Sequence, residues 1–224
     1  MRRCGTGGLL SRIVAVQTGK FVKILNLSIA VLLVVLVGSV YWLAYRLLPV
    51  TSGTLSAPVS KAASIAHDAR GVPHIDAASI EDALFLQGFV TAQNRMWQMD
   101  VLRRLAAGNL SEIIGKSTLE ADRASRRLRL RRIAEASVNA MSPADRAILE
   151  AYARGVNYYL ATFGDRLPIE FHLLGYKPKP WRPVDSVLCA LQMYRTLTNT
   201  WRDDLAKQVM FQEGDRDKVD CLFP

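Results

Sequence analysis

Ser142-Pro143-Ala144-Asp145-Arg146-Ala147-Ile148-Leu149-Glu150-Ala151-Tyr152-Ala153-Arg154-Gly155-Val156-Asn157-Tyr158-Tyr159-Leu160 reads as the clearest helix in the chain. Ser142 is a natural N-cap, and Pro143 fits the first turn because its missing N–H would be unpaired there anyway. Asp145 lies near the positive end of the helix dipole. Ile148, Leu149, Tyr152, Val156, Tyr159 and Leu160 recur at helical spacing and form one apolar stripe. Such a stripe needs an apolar partner, so this helix decides that the region around it is mostly helical and packed.

Working toward the N-terminus, Ser79-Ile80-Glu81-Asp82 resembles a second N-cap with an acid three residues on. Behind it Leu86, Phe89, Val90, Gln93, Trp97 and Val101 repeat at helical spacing, and Gly108 is a natural stop. Ser64 to Ile75 reads as two short strands around an Asp68-to-Gly71 turn, with Gly71 free to take positive φ and Pro73 confined to an edge or a strand start. Between the two helices, Arg123 to Arg132 holds six arginines. They read as a solvated helix face, with a patch for anionic lipid as the sharper alternative. Toward the C-terminus, Pro168, Pro178, Pro180 and Pro183 mark an irregular connection. Pro183-Val184-Asp185 then starts a helix with Val184, Leu188, Leu191 and Met193 as its apolar positions.

The chain divides sharply at about Leu48, and the uncharged run before it belongs to a different solvent. Ile24 to Tyr45 is uncharged, and a membrane span needs roughly 20 apolar residues to cross about 30 Å of hydrocarbon. Tyr41, Trp42 and Tyr45 sit where an aromatic belt belongs. Five basic residues and no acid precede the span, so residues 1–23 are expected in the cytoplasm and the body outside it, periplasmic or extracellular. A cleaved signal peptide has an apolar run of about 7 to 15 residues, which favours an uncleaved single-pass anchor in the cell membrane here. The resulting division is a basic N-terminus (1–23), an anchor (24–45), a linker (46–58) and a folded region (59–224).

Of the formal charge of +9, residues 1–23 carry +5 and Arg46 one more, leaving +3 for the exported part. That excess is too small to argue for nucleic acid as a partner. Cys4 would be cytoplasmic; Cys189 and Cys221 would be exported, where one disulfide is chemically allowed. No Cys-His spacing points to zinc. His67 and His74 lie near the strand turn and read as structural, and no serine sits in a nucleophile elbow. The apolar end Cys221-Leu222-Phe223-Pro224 reads as cut rather than finished, so the chain is expected to be part of something larger.

Seven blocks then appear in one order. They are Asp68-Ala69-Arg70-Gly71-Val72-Pro73-His74-Ile75, Ala92-Gln93-Asn94-Arg95-Met96-Trp97-Gln98-Met99-Asp100, Arg103-Arg104-Leu105-Ala106-Ala107-Gly108, Ser111-Glu112-Ile113-Ile114-Gly115, Ala151-Tyr152-Ala153-Arg154-Gly155-Val156-Asn157, Leu167-Pro168-Ile169-Glu170-Phe171 and Lys179-Pro180-Trp181-Arg182-Pro183-Val184-Asp185. Together they resemble the N-terminal region of the penicillin acylase (penicillin amidase) family. Gln93, Asn94 and Arg95 read as a buried polar clamp tying their helix to neighbouring backbone. The family usually has aspartate at Asn94, so an ion pair with Arg95 is reduced to a neutral hydrogen bond. Trp181 reads as a packing anchor.

The resemblance implies an α+β fold: a mostly helical α-chain portion of an N-terminal-nucleophile (Ntn) hydrolase, αββα in the family, preceded here by one transmembrane helix. It implies hydrolysis of N-acyl amides (β-lactam side chains, acyl-homoserine lactones or related N-acyl amines) by a serine exposed at the N-terminus of a β chain after self-cleavage. No catalytic residue is expected in this chain, which alone should be inactive and prone to aggregate for want of a partner for the Ile148 stripe. Carried over by position, Tyr194 and Thr198 would line the acyl pocket, and Asp204, where the family has glutamate, would reach a structural calcium shared with the β chain. Core packing competes for Tyr194, and a solvated helix acid competes for Asp204. The partners implied are the serine-bearing β-chain region, a small N-acyl amide and the membrane. A second reading is a non-catalytic, membrane-anchored helical module derived from the same scaffold.

Overall fold

The computed structural model describes residues 7–43, 45–198, 200–214 and 216–222, so Cys4 and the terminal Phe223-Pro224 lie outside the described residues. The chain divides into two units, Met1–Leu48 and Pro49–Pro224. The first is a helix, α1 (Gly7–Leu43), followed by a short 3-10 turn, Tyr45–Leu47. α1 runs 37 residues, well beyond the apolar stretch. Gly19–Leu47, with mean hydropathy 2.5, is long and apolar enough to cross a membrane, a description that a signal sequence near an N-terminus also meets. At its end Tyr41 and Tyr45 stack at 5.8 Å, and the Arg46 guanidinium lies 4.4 Å over the Trp42 ring.

The second unit opens with an antiparallel pair, β1 (Ser64–His67) and β2 (Pro73–Asp76), in which Ile65 faces Ile75 and His67 faces Pro73. Their turn is closed as the sequence implies. Gly71 takes φ 76°, and the Asp68 carboxylate accepts from the N–H groups of Arg70 and Val72. Those two amides, set against a smaller opposing desolvation and helped by His74, hold the Asp68 pKa below the usual carboxylate value.

Helices follow: α2 (Ile80–Ala107), α3 (Ser111–Ile114), α4 (Leu119–Leu128), α5 (Leu130–Ala140), α6 (Pro143–Phe163), α7 (Ile169–Leu173), α8 (Pro183–Leu197), α9 (Trp201–Glu213) and α10 (Arg216–Leu222). Ser79 caps α2 by accepting from Asp82 N–H. The Asp82 carboxylate accepts from the backbone and hydroxyl of Ser60, fastening the start of the folded region to α2. Gly108 ends the helix in the left-handed region, with its N–H and that of Asn109 returning to Leu105 and Arg104.

α2 is the central helix, and α6 packs along its first half. Ala92, Met96, Ala153 and Val156 are buried between them with Phe89, Tyr159, Leu167, Phe171 and Trp181. Each large side chain sealed there, such as Met96 or Val156, contributes roughly 1.5–3 kcal/mol. The crossing is close because Gly88 and Gly155 carry no side chain, as a Cβ on either would overlap the backbone of the opposite helix. The last turns of α2 serve another core, where Ala106 and Ala107 meet Ala134 of α5 and Leu188 of α8. Near the middle of α2 Arg95 leaves helical geometry (φ −144°, ψ 26°); past this kink Met96 and Met99 still serve the first core, and Ala106 and Ala107 the second.

Four expectations need correction. Ile148 is 44% exposed, and the face of α6 that meets α2 is built from Ala151, Gly155, Val156 and Tyr159, so α6 does have its partner. Of the supposed clamp only Gln93 is buried, donating to Val50 O at 2.5 Å; Asn94 and Arg95 are exposed at the kink. Arg123 to Arg132 is not one helix face, since Arg129 turns left-handed and separates α4 from α5. Met193 of α8 is exposed, while Leu188 is fully buried.

Candidate functional site

The centre of the polar chemistry is Asp100, a charged residue in the second half of α2. It is fully buried. One carboxylate oxygen accepts from Arg103 at 2.5 and 2.8 Å; the other accepts from Arg104 at 2.7 Å and from the Tyr176 hydroxyl at 2.9 Å. Arg103 continues outward to the carbonyls of Lys179 and Pro180 and to Asp185, and Arg104 reaches Glu112 at 3.0 Å. Arg103 also lies 5.0 Å over the Trp181 ring.

Burial alone would raise the Asp100 pKa, but the two guanidiniums outweigh it and hold it below the usual carboxylate range. The group therefore stays ionised. Because its folded pKa is depressed, its stabilisation is complete above the unfolded value of about 3.9 and is lost only as pH falls through the lower folded value. Burial next to this charge pushes the Tyr176 hydroxyl strongly upward, so it acts as a donor and not as an acid.

Around this network the irregular 176–182 connection is fixed to both long helices. Asn157 of α6 pairs twice with Trp181 backbone, at 2.7 and 2.9 Å, and the indole N–H donates to Ser186. Asp185 accepts from Arg182 N–H at the start of α8 while it bridges Arg103. Four of the seven sequence blocks thus meet in one polar assembly, joined through Glu112 by a fifth. The buried Asp100 and the two guanidiniums are spent on one another, on Asp185 and on backbone carbonyls, so the chemistry of this assembly is that of a clamp.

Tyr194 lies in the last turn of α8 and is 68% exposed, which removes core packing within this chain as its role. Thr198 is the C-cap of the same helix, one turn on, and its hydroxyl donates to Tyr194 O at 2.8 Å. The two share a face. Asp204 stands apart in the first turn of α9, exposed, accepting from Thr200 Oγ1 at 3.3 Å. Around them Met193, Leu197, Trp201 and Leu205 are apolar and exposed, each by more than half. Cys189 and Cys221 are free thiols. Burial and nearby Asp185 push the Cys189 pKa up to about 12, so no thiolate nucleophile forms there. His74 is an exposed neighbour of Asp68 at 3.6 Å, and His67 Nε2 is buried without a partner. Among the described residues no serine, threonine or cysteine hydrogen-bonds a histidine, and no three His, Cys, Asp or Glu side chains cluster as a metal site.

The Asp100 network was the main omission of the sequence reading. Its signal was present as Asp100, Arg103 and Arg104 at i, i+3 and i+4, an acid and two bases on one helix face.

These features define a two-core helical scaffold built to hold an irregular connection and a projecting helix end. The sequence model of the penicillin amidase family matches residues 62–224, and the chain belongs to that family. It is 38% identical over 190 residues to acyl-homoserine lactone acylase QuiP of Pseudomonas fluorescens, covering 84% of this chain and 23% of that protein. It is 38% identical over 155 residues to penicillin acylase 2 proenzyme of Pseudomonas sp. (strain SE83), covering 69% of this chain and 20% of that protein. The chain therefore spans about a quarter or less of the length of these relatives. Among solved structures, a thermostable penicillin G acylase from Alcaligenes faecalis shares the fold with TM-score 0.58 at 24% identity, the match covering 72% of this chain and 89% of that one.

Proposed function

We propose that this chain is the N-terminal, α-chain region of an amidohydrolase acting on non-peptide N-acyl amides, with its nucleophilic serine in residues that follow it. Candidate substrates are β-lactam side-chain amides, acyl-homoserine lactones and related N-acyl amines. The observation that carries this reading is the family match over residues 62–224. In such an enzyme the serine released by self-cleavage attacks the amide carbonyl, its own α-amino group takes the proton, and an oxyanion hole steadies the tetrahedral intermediate.

This chain's part is to shape and support. The exposed Met193, Leu197, Trp201 and Leu205 offer an apolar surface for the serine-bearing region to cover. Tyr194 and Thr198 are then positioned to meet the acyl group, and α1 tethers the body to the outer face of the cell membrane. Asp204 supplies a hard, accessible carboxylate suited to calcium. Calcium takes about six to eight oxygens, so the rest of that set would come from the following region.

In the full-length protein, Tyr194→Ala is expected to lower kcat/KM for long or aromatic acyl groups about tenfold relative to short ones, because a lost aromatic contact penalises larger groups more. Asp204→Asn should leave that preference unchanged and abolish the rise in melting temperature given by calcium. A flat acyl preference in the first variant and an intact calcium shift in the second would refute both assignments.

A further inference from the structure

The arginine-rich segment is unused by the clamp, and its geometry is unusual. α4 and α5 meet at Arg129, whose left-handed backbone (φ 54°, ψ 33°) folds the two helices around a cleft of about 400 Å³. Ser125, Arg126, Arg129, Arg131, Arg132 and Glu135 line it with four guanidiniums against one carboxylate. That volume lies within the range of roughly 300–1,000 Å³ typical of ligand pockets.

Little inside the protein offsets this charge. Arg126 donates to the uncharged Gly108 O and Asn109 Oδ1, and the carboxylate of its acidic neighbour Asp122 is already taken up by the Leu110 and Ser111 N–H groups. Arg131 has Glu135 only at 4.0 Å. Among the described residues Arg129 and Arg132 form no ion pair. Ser125 is only 1% exposed; its hydroxyl accepts from Arg195 of α8 at 3.1 Å, which leaves its own proton to donate. The first turn of α5 contains no acid and receives no side-chain cap, while Arg131 and Arg132 put positive charge where the helix dipole is already positive. Four guanidiniums that share only Glu135, with Asp122 beside Arg126, keep an excess of positive charge that an anion among them would offset.

We propose that the α4–α5 cleft binds a phosphate-type oxyanion, held by the Arg129 and Arg132 guanidiniums, with Arg126, Arg131 and the Ser125 hydroxyl around it. Arginine favours phosphate over a spherical anion because its planar fork donates two parallel hydrogen bonds to two oxygens. The phosphate belongs either to a free anion or to a lipid headgroup, and one experiment separates the two.

Full-length protein in nanodiscs of zwitterionic lipid is titrated with inorganic phosphate against chloride at equal ionic strength, and melting temperature is followed. A saturable rise is expected with phosphate alone. Arg132→Gln and Arg129→Gly should each weaken the apparent phosphate affinity about tenfold, the loss of one charge-assisted contact. Arg129→Gly is the safeguard against misfolding, since glycine adopts the left-handed backbone freely. Arg127→Gln removes an exposed charge of α4 outside the cleft and should leave the affinity unchanged. Nanodiscs containing phosphatidylglycerol abolish the phosphate response if the headgroup is the natural occupant and leave it unchanged if a free anion is; either result upholds the site. No rise beyond chloride, or an Arg127→Gln loss equal to that of Arg132→Gln, overturns it.

Discussion

Replacing Asp100 by asparagine should destabilise the folded protein by about 3–5 kcal/mol, the cost of leaving buried charge unpaired. Asparagine nearly matches aspartate in shape, so the α2 core keeps its packing and the effect reports charge. Arg103 and Arg104 would remain enclosed at 6% and 9% exposure with their shared counter-ion gone. Arg103 would retain Asp185 at 3.2 Å, and Arg104 would retain only the half-exposed Glu112. Tyr176→Phe, which removes one hydrogen bond to the same carboxylate, should cost about 1.5–3 kcal/mol. Urea unfolding of the full-length protein measures both. A loss below about 1 kcal/mol for Asp100→Asn would mean that water reaches the network and that it does not clamp the 176–185 connection.

Gly155→Ala should destabilise by about 3 kcal/mol, against the direction that helix propensity dictates. Alanine in place of glycine inside a helix ordinarily stabilises by about 1 kcal/mol. At this position the added Cβ overlaps the Phe85 carbonyl oxygen and comes within 2.8 Å of its carbon and 2.9 Å of Phe89 N. Helix backbones cannot yield as a flexible side chain would, so α2 and α6 must separate and the seal over Val156 and Met96 loosens. Gly88→Ala meets Tyr152 in the same way from the other side. Once the helices have spread, the second substitution costs less, so the double variant should fall short of the sum. Stabilisation by either single change would show that the crossing is not close-packed.

The local signals were legible because each is carried by a few adjacent residues. Ser79, Gly108 and Ser142 cap where their side chains or backbone freedom predict, and Gly71 and Pro73 shape the hairpin as expected. The breaks at Arg95 and Arg129 were not, because neither proline nor glycine announces them. The second follows from tertiary demand, a fold-back that sets Ala134 against α2 and α8. Most of the α6 stripe was legible, since Val156 and Tyr159 are buried and Tyr152 and Leu160 pack beside them; Ile148 turns outward because the small Ala151 and Gly155 set the close approach to α2. The helix after Pro183 stops at Leu197, so Thr198 caps it and Asp204 belongs to a second helix. That separation leaves Tyr194 and Asp204 on different helices, free to meet different neighbours.

Release of the acyl group from a phenylacetyl amide and from an N-acyl-homoserine lactone, by the purified 224-residue chain and by the same chain continued through its downstream coding region, tests the central assignment most directly. The continued protein should mature to a second chain beginning with serine and hydrolyse at least one of the two amides, while the 224-residue chain hydrolyses neither. Hydrolysis by the 224-residue chain alone, or a continued protein that folds but never cleaves an amide, would contradict it.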